Sequence, residues 1–507
     1  MILLATLNAR YLHAAFGLRY LLANMGELRG QTRMLEFDIN QRPLDIAEKI
    51  AAHTPRILGL GVYIWNATET LELVSLLRRI LPETKIVLGG PEVSYETAEQ
   101  EIVALADYVI TGEADLAFAQ LCRRILAGEA PAEKIVEAGY VDVAALTLPY
   151  DLYTPDDIAH RIVYVEASRG CPYTCEFCLS SLDIPVRAFP LEKFLAAMQS
   201  LLDRGVRHFK FVDRTFNLNA PVSRAIMGFF LDRHTPGMFL HFEMVPDRLP
   251  DALKDLIRRF PPGALQFEVG IQTFDGTVGG LISRRQNFDK IAENLRFLRE
   301  ESGVHVHADL IFGLPGETLG SFAEGFNRLV AMNPQEIQLG MLKRLRGTPI
   351  IRHDAEWSMV YAAHPPYEVL STRLIDFSTM QRVRRVAKYW DLVANSGNFP
   401  AITRMIWSRN GKPFESFLDF SDWLFARLGR TDSIALNTLA AKCFEYLTRE
   451  AGFSEDETGA AMATDFIVSG RASALPDFLR PYLPERTAAP SSSHHHTPKR
   501  QARHVKA

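Results

Sequence analysis

The sequence predicts an α/β protein. An N-terminal doubly wound (Rossmann-like) sheet is followed by a partial (β/α)6 barrel of the TIM type and an α-helical C-terminal region. Three observations carry this reading. Short apolar runs alternate with segments of helical spacing, first over residues 1–126 and again over 161–345, as in parallel sheets with crossover helices. Glycines gather where the N-terminal apolar runs end, at Gly59, Gly61, Gly89, Gly90 and Gly112. Beyond Leu345 the strand-like runs cease, and apolar residues recur at helical spacing.

Size and composition bound the function. The 507 residues exceed one ordinary domain, Lys plus Arg number 56 against 60 for Asp plus Glu, and 47% of residues are apolar. That is the balance of a soluble globular chain with ample core, without the charge footprint of a nucleic-acid binder or the apolar spans of a membrane protein. Five cysteines, three of them within eight positions, make no disulfide framework and point to a reducing, cytoplasmic setting where thiols serve metals or catalysis.

In the first domain, residues 1–140, Ile2 to Leu7 reads as a buried strand and Tyr11 to Asn24 as a helix ending near Gly26. "ILGLGVYIW" (57–65) and "KIVLGG" (85–90) read as further strands, with a helix over 67–81 between them; "ADYVITGEADLAFAQLCRRIL" (106–126) adds another strand and helix, with Gly112 and Glu113 at the turn. Ligands of such sheets bind beyond the carboxyl ends of the strands, where glycine lets backbone approach closely. Gly59-x-Gly61 lacks the third glycine of a dinucleotide fingerprint, so tight turns without a ligand stay open as the alternative. Residues 141–160, with two prolines and four aspartates, read as a linker.

The second domain, 161–345, opens with "RIVYVEASRGCPYTCEFC", a strand running into a loop that holds Cys171, Cys175 and Cys178 at C-x3-C-x2-C spacing. Structural zinc takes four ligands, and no second Cys or His pair lies nearby. Three thiolates suit a [4Fe-4S] cluster with one iron left open. Strands follow at 208–213, 239–244, 265–272, 304–313 and 336–342, with helices such as 191–205 and 288–303 between them. Together with the first strand these make six, and chemistry in such a barrel belongs at their carboxyl ends.

The cysteine loop resembles the cluster motif of the radical S-adenosylmethionine (SAM) enzymes. The resemblance implies SAM on the open iron and a 5′-deoxyadenosyl radical as the reactive species, and it places Phe177 beside the adenine. "GIQTFDG" resembles the family's fourth-strand motif, with Glu268 and Gln272 toward the cavity; Arg284 or Arg285 would hold the SAM carboxylate, and Gly313 of "DLIFGLPGET" would lie against the adenine. The usual Gly-Gly-Glu after the second strand is replaced by "FVDRTFN", which passes the glutamate's role to Asp213.

A sheet domain carrying "GVYIWN", "LGGPEVS" and "VITGEAD" before such a barrel resembles the cobalamin-binding domain of the B12-dependent radical SAM class. In that class the corrin lies between the sheet's carboxyl edge and the barrel mouth, with its nucleotide tail near the glycines. The contacts this implies are Asn8, Tyr11, Gly61, Tyr63, Gly89, Gly90, Pro91, Gly112 and Glu113. The Asp-x-His-x-x-Gly pattern that supplies a histidine to cobalt occurs only as "DRHTPG" (232–237), at a predicted helix end in the barrel, and reads as chance; His13 lacks the Asp. A cobalt without a histidine ligand is therefore expected.

Residues 346–483 read as a helical domain with segments at 367–397, 414–429 and 434–452, and "YWDLVANSGNF" resembles an uncharacterised subgroup of the same class. The tail, 484–507, has no apolar periodicity and reads as disordered, with His494 to His496 as incidental metal ligands at most. The function expected is an enzyme using a [4Fe-4S] cluster, SAM and cobalamin to methylate an unactivated centre of a small molecule. An external donor of the flavodoxin or ferredoxin type would supply its electrons, with no membrane or nucleic-acid partner. The alternatives are a non-methylating radical reaction (ring contraction, cyclisation or oxidation) and a cobalamin sensor without catalysis.

Overall fold

The computed structural model describes residues 1–483 and 499–505. It divides into two compact units: Met1–Arg214 with Lys343–Ile351 and Ala362–Glu368, and Thr215–Leu342 with Arg352–Tyr361 and the chain from Val369 on. The division at Arg214 falls inside the stretch read as one barrel.

The first unit holds a six-stranded parallel sheet. Its strands are β1 (Ile2–Asn8), β2 (Thr32–Asp38), β3 (Ile57–Gly61), β4 (Lys85–Gly89), β5 (Tyr108–Thr111) and β6 (Ile135–Glu137), in the order β2-β1-β3-β4-β5-β6. Successive residues of a strand point to opposite faces, and here both faces are buried. Leu3, Ala5 and Leu7 join Ile46, Leu73 and Leu77 on one side, while Ile2 and Leu4 join Leu18, Phe118 and Cys122 on the other. That is the doubly wound arrangement, and the order reverses beside β1, where such folds open a crevice.

One expectation is corrected in this unit, two strands go beyond the reading, and the stretch read as a linker carries its own local structure. The first helix is Phe16–Ala23, not Tyr11–Asn24, because the Glu36 carboxylate accepts from the Ala15 amide at 2.5 Å and fixes the helix start there. Strands β2 and β6 were not foreseen. In the stretch read as a linker, Thr154 and Asp157 form a capping box on the helix Pro155–His160, and the 5%-exposed Asp157 carboxylate accepts from Arg19 at 2.8 Å.

The first unit also holds β7 (Val163–Val165), the short antiparallel pair β8 (Ser168–Arg169) and β9 (Arg187–Ala188), and β10 (His208–Phe211), which pairs in parallel with β7. In the second unit β11 (Phe239–Met244), β12 (Leu265–Gln272), β13 (His305–Phe312) and β14 (Glu336–Met341) run side by side in parallel. Of the six strands expected in the barrel, two thus lie in the first unit and four in the second. Their register aligns Glu243, Glu268, His307 and Glu336 in one row across the four strands of the second unit.

Five long helices follow: Phe377–Val393, Pro400–Ser408, Pro413–Leu428, Leu436–Arg449 and Glu455–Val468. The first of them begins ten residues later than predicted, where the Asp376 carboxylate caps the Thr379 amide at 2.8 Å; Val369–Ser371 just before it is a strand paired with Val360–Tyr361. The expected disorder of the tail is corrected over Lys499–Val505, which is helical and whose Arg500 pairs with Glu336 at 2.7 Å. His494 to His496 lie outside the described residues. No helix among the described residues is long and apolar enough to cross a membrane.

Candidate active site

At the carboxyl edge of the first sheet lies a cavity of about 340 Å³. On its wall Gly61 ends β3 and Tyr63 follows, Gly89 ends β4 and Gly90 follows, and Gly112 and Glu113 follow β5. The glycines serve in two ways. A Cβ on Gly90, at φ +111°, would run into the Val62 carbonyl, so glycine is required by the turn itself. A Cβ on Gly89 would meet only the Ile110 carbonyl at 3.8 Å: the backbone tolerates a side chain there, and its absence leaves the cavity open. The Tyr63 ring stacks on Trp65, 4.4 Å between centroids and 6° between planes. A cavity of this size takes a nucleotide-sized appendage rather than a whole corrin, which fits the cobalamin tail expected at these glycines.

Six of the nine residues predicted at this site stand on the wall; Asn8, Tyr11 and Pro91 do not. The Asn8 amide donates to Glu36 at 3.1 Å and the Tyr11 hydroxyl to Asp156 at 2.7 Å. Pro91 starts a turn whose Glu92 is held by Arg346 at 3.0 Å and by the Tyr367 hydroxyl at 2.5 Å. No histidine is on the wall: His13 bonds the Tyr164 hydroxyl at 2.6 Å, and His234 follows a helix end in the second unit.

The cysteine loop leaves β8 and returns through β9, so the two-stranded ladder closes its base. Gly170 is obligatory there, with φ +91° and a Cβ position 2.7 Å from the Asp183 carbonyl. That carbonyl accepts the Cys171 amide at 2.9 Å, and the Cys175 carbonyl accepts the Cys178 amide at 3.1 Å. Cys171 and Cys175 are buried, Cys178 and Phe177 half-buried, and none of the five cysteines is in a disulfide. Among the described residues no three donors stand close enough to share one ion. A cluster does not ask for that, since each thiolate binds its own iron, whereas one zinc would draw its sulfurs in to about 2.3 Å from the metal.

Sequence reading missed the charges that join this loop to the cavity. Arg169, on the cavity wall and two residues before Cys171, donates to Asp115 at 2.9 and 3.1 Å and to Glu166 at 2.9 Å, with its guanidinium over the Tyr20 ring. Arg187 bridges Glu113, at 2.7 and 2.8 Å, to Asp183 at 2.6 Å. Burial would raise the Glu113 carboxyl, but the bonds from Arg187 and from the Val141 amide outweigh it and hold its pKa below 4.5. Glu166 is pushed up to about 7 by burial, against the pull of Arg169. The available signal was an arginine beside the cysteine motif in a chain whose sheet turns carry Glu113 and Asp115.

Asp213, 2% exposed, accepts from the Ser168 hydroxyl at 2.6 Å and the Ala167 amide at 3.0 Å, and burial raises it to about 6 despite these bonds. Both oxygens therefore hold the entry to the cysteine loop. In the second unit Glu268 pairs with His241 at 2.9 Å. Arg284 donates to the Gly270 and Ile271 carbonyls, while Arg285 is exposed. The register slips between Gly270 and Gln272, leaving Gln272 at φ +71° with a buried Oε1 that has no partner among the described residues. Gly313, at φ +88°, is packed under Val369 and Met380, and its amide donates to Glu317 at 2.8 Å.

Three family models match the chain: a B12 binding domain over residues 2–122, the Radical SAM superfamily over 165–329, and a protein of unknown function (DUF4080) over 355–504. An uncharacterised methyltransferase of Pyrococcus horikoshii is 26% identical over 200 residues, 34% of this chain and 43% of that protein. The cobalamin-dependent radical SAM methyltransferase TokK of Streptomyces tokunonensis is 23% identical over 333 residues, 58% of this chain and 48% of that protein. The chain thus spans less than half the length of either relative. The cobalamin-dependent SAM radical enzyme OxsB, solved with aqua-cobalamin and SAM bound, shares the fold at a TM-score of 0.62 and 12% identity, over 93% of this chain and 79% of that one.

Proposed function

We propose, for a chain that belongs to the cobalamin-dependent radical SAM family, methyl transfer from SAM by way of cobalamin to an unactivated carbon or phosphorus centre of a small molecule. One observation carries this reading: the cysteine loop and the glycine-walled cavity share one compact unit and are joined by the half-buried Arg169 and Arg187 bridges. A cluster loop held in register with a cobalamin-tail cavity suits a reaction that uses both cofactors.

When bound, the cluster and SAM supply a carbon-centred radical and cobalamin carries the methyl group. The chain's own residues prepare the site. Cys171, Cys175 and Cys178 would hold the cluster. Gly61, Gly89, Gly90, Gly112 and Tyr63 would receive the cobalamin tail, with Glu113 oriented by Arg187. Phe177, Glu268, Gln272, Arg284 and Gly313 remain the proposed SAM contacts. Asp213 serves the same site by another route, fixing Ala167 and Ser168 so that β8 enters the cysteine loop in one conformation. Five thiols without a disulfide suit a cytoplasmic enzyme fed by a flavodoxin or ferredoxin type donor. The sheet, barrel and helical regions are proposed as the domains 1–140, 161–345 and 346–483.

The deciding experiment incubates cluster- and cobalamin-loaded protein anaerobically with SAM carrying a deuterated methyl group, followed by mass spectrometry of the extracted cobalamin. Label in the cobalamin supports methyl transfer. Unlabelled cobalamin, despite bound SAM and an intact cluster, would move the reading to a non-methylating radical reaction.

A further inference from the structure

A second cavity, of about 140 Å³, opens in the second unit at the amino-terminal ends of β13 and β14. Arg299, from the end of the helix Phe288–Glu300, and Asn333–Gln335, just before β14, form one side; Trp390, Thr403, Arg404 and Trp407 form the other. Barrel chemistry sits at the opposite, carboxyl ends, so the radical reaction does not account for this cavity.

Its polar groups divide sharply. Gln335 is engaged at both ends, accepting from the Val306 amide at 2.8 Å and donating to the Val304 carbonyl at 3.0 Å. Asn395 likewise binds the Ile337 amide and carbonyl, each at 2.9 Å, and the Thr403 hydroxyl donates to the Phe399 carbonyl at 2.5 Å. What lacks a partner among the described residues is a set of donors: the indole N–H of Trp390, a side chain 4% exposed, and Nε of Arg299. Buried donors without acceptors are costly and call for explanation.

The charge is equally one-sided. Arg299 and Arg404 both line the cavity, and burial, followed by the Arg404 charge, lowers the Arg299 pKa. Asp465, whose field reaches Arg404, has its oxygens on the Ala401 and Ile402 amides at 2.9 and 3.0 Å. No ion pair to Arg299 or Arg404 forms among the described residues.

We propose that this cavity binds a small oxyanion, a carboxylate or phosphate group held by Arg299, Arg404 and the Trp390 N–H against the Trp390–Trp407 wall. The two indoles are stacked at 19° with centroids 5.9 Å apart, which gives the ligand an apolar or planar side to lie on. The ligand relieves the repulsion between the two cations and satisfies both donors at once. Arg suits this task because its planar fork matches carboxylate and phosphate oxygens.

The test is calorimetric titration of the full chain, in a chloride buffer of fixed ionic strength, with inorganic phosphate and separately with benzoate. Saturable one-to-one binding of at least one probe is expected; tighter phosphate binding assigns a phosphate-bearing ligand, and tighter benzoate binding a carboxylate. Arg404→Gln, at an exposed position that does not endanger folding, is expected to weaken binding by about ten-fold or more, the worth of a charge-assisted hydrogen bond. Trp390→Phe, which keeps the ring and deletes the N–H, is expected to weaken it by about three-fold or more. Absence of saturable binding with both probes overturns the proposal, as does affinity unchanged in Arg404→Gln and Arg299→Gln.

Discussion

Replacing Arg169 by Gln isolates the bridge between the cysteine loop and the cavity. The Arg169 side chain is 13% exposed, and its partners Asp115 and Glu166 are 8% and 9% exposed. Removing one partner of a buried ion pair costs about 3–5 kcal/mol, because the other charge is left uncompensated. Two features reduce that figure here. Asp115 sits in the first turn of the helix Ala114–Ala127, where the helix dipole returns roughly 0.3–1 kcal/mol. Glu166, already near 7 in the intact protein, escapes most of its cost at neutral pH by taking up a proton. The net loss is about 2–4 kcal/mol, or a melting temperature lower by roughly 4–16 °C for a unit of this size. The pH dependence has a definite sign. Loss of the cation raises the folded-state pKa of Glu166 further above its unfolded value of 4.5, so the variant's stability goes on falling as pH rises past 7, and the gap from the parent widens. Calorimetric scans at pH 6 and 8.5, with Asp115→Asn and the double variant, complete the cycle. Losses that add within about 0.5 kcal/mol would show that the two groups do not interact and would refute the argument.

Three further outcomes are expected. Gly89→Val places its branches where a Cβ meets little but the Ile110 carbonyl at 3.8 Å, so the melting temperature should hold while cobalamin affinity falls by about ten-fold or more; unchanged affinity would remove Gly89 from the site. Cys175→Ala should abolish the visible absorption of a reconstituted cluster while cobalamin still binds, and loss of both would mean that the cavity depends on an intact loop. Glu317, 1% exposed and raised to about 8 by burial, accepts from the Gly313 and Leu314 amides at 2.8 and 3.4 Å. Since that carboxyl is more basic folded than unfolded, it costs stability progressively as pH rises from 4.5 to about 8, to a ceiling of about 5 kcal/mol. Glu317→Gln imitates the neutral form and should gain on the parent across that window, whereas parallel stability curves would show the carboxyl to be ionised throughout.

The barrel strands were legible because their apolar runs are long and end at turn residues: β11 and β12 fall where the sequence places them, and β13 and β14 differ by a residue or two. Strand β2 was illegible for a physical reason. It lies at the sheet's edge with one face half open, so "TRMLEFD" mixes charged and apolar residues without a continuous run. The cavity glycines were readable from position alone, but Asn8 and Tyr11 were not, because their side chains turn to Glu36 and Asp156, partners far away in sequence. Arg19 carried a usable signal. An arginine amid the apolar residues of a buried helix needs a carboxylate, and Asp157, in the stretch read as a linker, supplies one together with Glu36 at 2.9 Å.

At the carboxyl end of β12 the residues proposed as SAM contacts are prearranged rather than left free. Arg284 has donors engaged by the Gly270 and Ile271 carbonyls, so its guanidinium is fixed in direction before any ligand arrives. Gln272 is held in the left-handed region, which costs a residue with a Cβ about 1–2 kcal/mol, and its buried Oε1 has no partner among the described residues. Folding alone gains nothing from either feature: glycine at 272 would relieve the backbone, and an apolar side chain would remove the unmet acceptor. Both costs fall on one strand end, at the register shift between Gly270 and Gln272, and strain gathered at one point is the pattern that functional sites show, which supports the proposed contact. A ligand that brings a donor to Gln272 would recover the cost of the unmet acceptor, as the proposed SAM contact at this strand end requires.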